Sequence, residues 1–142
     1  MSVIKLEDAR TIIAQAFAEG RKLGLKPLSV AVLDAGGHLV AFEREDSSST
    51  LRPQIAIGKA SGALGLGVSS RKIGEMAQER PTFIGALGPI APAGIIPAAG
   101  GLVIVDDDGN AIGAVGVTGD VSDNDELCAI AGLRAAGLKW RE

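Results

Sequence analysis

The chain has 142 residues, 46% of them hydrophobic and 22% charged, with a formal net charge of −3. That length suits one domain with a substantial core, so residues 1–142 are expected to form a single unit. The negative balance gives no electrostatic reason to expect a nucleic-acid partner. No uninterrupted apolar stretch reaches the ~18 residues needed to span a membrane.

Twenty glycines stand beside only 3% aromatic residues, and there is no tyrosine. Many small residues and few rings point to elements that approach one another closely. The single cysteine, Cys128, excludes an intrachain disulfide and fits a reducing compartment. The N-terminus alternates acid and base (Lys5, Glu7, Asp8, Arg10) and lacks the apolar core of a signal peptide. A cytoplasmic protein is the expectation.

In chain order, Leu6, Ala9, Ile13, Ala16, Phe17 and Gly20 recur at helical spacing, predicting a helix over residues 6–24, with Gly24 as its stop and Pro27 beyond. Residues 28–33 read as an interior strand, apolar on both faces. Asp34-Ala35-Gly36-Gly37 supplies a turn, and residues 38–44 return antiparallel. A helix over residues 51–66 follows, rich in small residues, with Gly58 and Gly62 four apart. Each glycine costs such a helix roughly 1 kcal/mol relative to alanine, which is tolerated when the backbone must pack closely.

Ser69 or Ser70 caps a shorter helix that Pro81 ends. Residues 80–99, with four prolines, read as an apolar loop lying against the body or against another subunit. Residues 102–105 and 111–118 form a second hairpin about the Asp106–Asn110 turn. A last helix, from Asp123 to about Gly137, is expected to turn Leu127, Ile130, Ala131 and Leu138 inward, with Ser122 or Asp123 as its cap. Paired hairpins separated by helices make an α+β fold: an antiparallel sheet with helices packed on its faces.

No standard catalytic motif is present. Asp106-Asp107-Asp108-Gly109 has contiguous acids where a calcium loop needs alternating ones, and a solvated turn explains it. Cys128 near a helix start could be an activated thiol, but a small buried hydrophobe is the simpler reading. His38, the only histidine, could ligate iron or act as a base; alternatively it is a turn residue facing water. Asp123 and Glu126 share a helix face where Asp123 and Asp125 do not, so they form the candidate carboxylate pair. Lys59 and Arg52 are candidate anion holders.

Four stretches carry a family resemblance in order: Val32 to Phe42, the small-residue helix around Lys59-Ala60, Ile96 to Gly101, and Ile112 to Gly119. Together they resemble the GlcG/HbpS family, which includes the C-terminal domain of PduO-type proteins. The resemblance implies a profilin-like α/β sandwich with a five-stranded antiparallel sheet, assembled into dimers and often octamers. It also implies haem as a candidate cofactor, since several members bind it, and an association with small-molecule catabolism. Gly100, Gly101, Gly116, Thr118 and Gly119 match the family's shared pocket region, and His38 matches its turn histidine. The acid-rich stretch from Asp120 to Glu126 departs from the family pattern and favours a small polar ligand or a metal.

The expected site therefore gathers Gly100-Gly101, Gly116 to Gly119, Asp123 and Glu126, with Lys59 and Arg52 reaching in. Three readings follow: a haem- or small-ligand-binding protein, a catabolic enzyme acting on a small acid or amide through Lys59, Asp123 and Glu126, or an oligomeric scaffold without chemistry.

Overall fold

The computed structural model describes residues 3–142. Its elements run α1 (Leu6–Leu23), β1 (Ser29–Asp34), β2 (Leu39–Arg44), α2 (Arg52–Leu66), α3 (Ser70–Glu79), α4 (Pro81–Leu87), a 3-10 turn (Gly88–Ile90), β3 (Gly101–Val105), β4 (Ala111–Thr118), α5 (Ser122–Ala135) and β5 (Lys139–Trp140). The strands form one antiparallel sheet in the order β2-β1-β4-β3-β5. This is the α+β sandwich expected, with five strands.

Alternation along each strand sends side chains to two different layers. Val30, Val32, Val115 and Val117 face α1 and α5, joining Ile12, Ile13, Phe17 and Leu133 in the larger core. Leu33 and Ala114 face the other way and meet Ala60 of α2. β1, β3 and most of β4 are buried on both faces, which is why they read as continuous apolar runs.

Both hairpins turn by the same device. Asp34 Oδ1 accepts from the backbone N–H groups of Gly36 and His38, each at 2.9 Å. Asp106 Oδ1 accepts from those of Asp108 and Asn110 at 3.0 and 2.9 Å. The acidic triplet is thus a side-chain-braced turn.

Two expectations are corrected. Residues 80–99 are not one loop, because Pro81 ends α3 and also opens α4 as its first helical residue, where a missing N–H costs nothing. From there Ile95 and Ile96 pack back onto Gly62 and Gly58 of α2. The inward face of α5 is also shifted. It consists of Asp125, Cys128, Ala129, Gly132 and Leu133; Ile130 and Leu138 lie at the core margin and Leu127 is exposed.

Candidate functional site

α2 lies on the sheet with almost no space between backbones. A Cβ at Gly116 would collide with the Ala56 carbonyl, and one at Gly101 with the Lys59 carbonyl. At Gly119 it would strike the Pro27 carbonyl. The approach these glycines permit is therefore that of the chain's own backbone.

Lys59 is 2% exposed, and its side chain passes the sheet beside Gly100. A Cβ on Gly100 would sit 2.9 Å from Nζ and 3.0 Å from Cδ. Beyond that gap the ammonium donates to the Val117 carbonyl at 3.0 Å and to Asp125 Oδ2 at 3.1 Å. Asp125, 1% exposed, also accepts from the Asp120 N–H through Oδ1 at 2.9 Å. One ion pair thus joins the α2 layer to the α5 layer. Burial lowers the Lys59 pKa and raises that of Asp125, while the charge of each on the other opposes both shifts.

Asp123 and Glu126 do not converge on Lys59. Both are held by Arg71 of α3, with its Nε 3.1 Å from Glu126 Oε1 and its Nη2 on Asp123. Neither Ser122 nor Asp123 caps α5; its N-cap is Val121, without a side-chain cap. Asp120 braces the approach instead, accepting from Val121 N, Asn124 Nδ2 and Lys26 N. The amide of Asn124, followed by those backbone donors, holds the Asp120 carboxyl down to about 2. Cys128 lies in the core, where burial pushes its thiol up to about 12.

Arg52 and Thr118 do meet, Nη1 donating to Oγ1 at 2.7 Å. His38 stands apart at the first hairpin turn, with its side chain 82% exposed and Nδ1 3.3 Å from Asp34 Oδ1. The residue that sequence reasoning missed is Asp125. Its signal was present, since 125, 128, 129, 132 and 133 form a helical stripe that is otherwise small and apolar. An acid on such a stripe demands a buried partner.

The other prominent feature is a cleft of about 430 Å³ at the far end of α2. Its walls are the Ala35–Gly37 turn, the Ser61–Leu66 half of α2 and the segment from Leu87 to Ile95. Leu64, Leu66, Leu87, Ile90 and Ile95 are the larger apolar side chains among its lining residues, and no charged residue lines it. Gly36 forms part of this wall, and the His38 ring lies against that glycine.

A family model described as "Haem degrading protein HbpS-like" matches residues 4–134. Among solved structures, HbpS is 26% identical with a TM-score of 0.80, covering 94% of this chain and 90% of that one. Klebsiella pneumoniae protein ORFY is 25% identical with a TM-score of 0.86, covering 96% and 92%. PduOC, solved as a haem complex, shares the fold at 18% identity with a TM-score of 0.88, covering 99% and 100%. No curated protein matches the sequence. With nearly its whole length matched and its sheet and helices superposing on HbpS itself, the chain belongs to the HbpS-like family.

Proposed function

We propose that this protein binds a small, largely apolar ligand of the haem type in the cleft between the first hairpin turn and the Leu87–Ile95 segment. The observation that carries the reading is the lining: a cleft within the size range of small-molecule sites, walled by aliphatic side chains and glycine, with an imidazole on the adjoining turn. The walls suit the faces of a macrocycle. Asp34 engages Nδ1 of His38 and leaves Nε2 as the nitrogen available to iron. Haem, when bound, would supply a redox-active iron. The residues of this chain would exclude water from the ring faces and orient the imidazole. The acids of the α5 start do not oppose this reading, being engaged by Lys59 and Arg71 away from the cleft.

Hemin titration followed by absorbance tests the proposal. Saturable binding with a Soret band is expected, its position shifting in His38→Ala. Gly65 lines the cleft, and a Cβ there meets nothing within 4 Å, so Gly65→Phe should fill the space and weaken binding without unfolding the chain. A spectrum unchanged in His38→Ala would move the iron ligand elsewhere. Undiminished affinity in Gly65→Phe would remove the cleft from consideration.

A further inference from the structure

We propose that the start of α2 is a second site, one that takes the oxyanion group of a small carboxylate or phosphate, independent of the haem reading. Ser29 is fully buried at the start of β1, and its hydroxyl has no hydrogen-bond partner. Such a group is expensive unless something supplies the missing bond. Its side chain lies on the α2 side of the sheet, because Leu33, four residues on, packs there against Ala60. The register sets Thr118 directly across from Ser29 on one flank and Arg44 on the other. A single row across three strands therefore reads Arg44, Ser29, Thr118.

Arg52 closes this row from above, through its bond to Thr118 Oγ1. The hydroxyl of Ser48, in the loop leading into α2, is also buried and unpartnered. α2 begins with no side-chain cap and no acid in its first turn. The Arg52 N–H is taken by the Ser49 carbonyl and Pro53 has none, which leaves the Gln54 N–H and the positive end of the dipole uncompensated. Among the described residues neither Arg44 nor Arg52 has a carboxylate partner. Lys59 lies near Arg52, but its charge is committed to Asp125.

Two guanidinium groups, two orphaned hydroxyls that can each donate and the Gln54 N–H at the helix start make the cluster rich in donors. The complement is a compact group with several negatively charged oxygens. The apolar cleft lies at the other end of α2, about 18 Å away for the twelve residue steps from Arg52 to Leu64. A small anion at one end would not touch a ligand at the other.

Calorimetric titration of the full chain with inorganic phosphate, and separately with succinate, at constant ionic strength in chloride, tests the proposal. At least one probe is expected to saturate a single site per chain. Arg44→Gln, at an exposed position, should weaken that binding by about tenfold or more with the melting temperature kept, as loss of a charge-assisted bond implies. Ser29→Ala should also weaken it while leaving stability equal or higher, because the orphaned hydroxyl is gone. Phosphate binding alone would identify a phosphate ester as the ligand class, and succinate binding alone a carboxylic acid. Binding of both would mean that only the oxyanion group is read. Failure of both probes to saturate, or saturation unchanged in Arg44→Gln, would overturn the assignment.

Discussion

Lys59 and Asp125 are each surrounded by protein, and neither has water to fall back on. Their mutual attraction offsets desolvation only because Val117 and the Asp120 N–H take up further hydrogen-bonding capacity. Breaking such a pair from one side strands the other charge. Lys59→Met or Asp125→Leu alone is therefore expected to destabilise the fold by about 3–5 kcal/mol. The double variant should recover most of that loss, because no buried charge remains. Denaturant unfolding of the three variants checks this through the coupling energy; additive losses would mean that the pair contributes nothing as a pair. The same two residues mark the limit of what the sequence disclosed. Lys59 was legible as a charge on a small-residue helix and its partner was not, because charge proximity along the chain drew attention to Asp123 and Glu126. Burial selects by helical face, and the face of Asp125 is shared with Cys128 and Ala129.

Among the elements, α5 begins without a side-chain cap, as α2 does. Where a helix usually takes a Ser, Thr, Asp or Asn cap, this one has Val121, and the carboxylate of Asp120 stands just outside with three donors around it. Those bonds hold the folded-state pKa of Asp120 at about 2, below its ordinary 3.8. For an acid shifted downward, the stabilisation is complete above the unfolded-state pKa and is lost as pH falls through the folded-state value. Stability should thus decline between about pH 4 and pH 2 partly on account of Asp120, and Asp120→Asn should flatten that limb. Thermal melts across the interval provide the measurement, and an unchanged acid limb would refute the assignment. Regular elements such as α1 and the two hairpins were readable because period, turn chemistry and stop signals agree at one place. α4 was not, because Pro81 serves equally as the end of one helix and the first residue of the next.

At the scale of the molecule, the apolar surface is not fully used. Ile90 is 76% exposed and Phe83 40%, both on the α4 segment and the turn that follows it, and Ile90 lines the cleft. We propose that a second copy of the chain covers this region, in an assembly between dimer and octamer. Light scattering at micromolar concentration should give a multiple of the 14.4 kDa chain mass, falling towards the monomer in Ile90→Glu. A monomeric wild type would end the idea. The fold as a whole was accessible from the order of its elements and the resemblance its motifs carry. The cleft was not, because it is made by three stretches, 35–37, 61–66 and 87–95, that meet only after the segment following α4 folds back over the glycine face of α2.

The gap at Gly100 constrains how this sequence can vary. A Cβ at position 100 would strike the Val117 carbonyl and crowd the Lys59 side chain that bonds it, loss of the lysine would abandon Asp125, and loss of the acid would leave an ammonium in the interior. Positions 59 and 125 lie far apart in the chain, yet neither can drift first without a penalty that the other imposes, while position 100 is held to glycine by its own positive φ and the Val117 carbonyl. Lys59 and Asp125 behave as one inherited unit, exchangeable for another solution only by concerted replacement, and a homologue that had changed one of them would be expected to have changed the other.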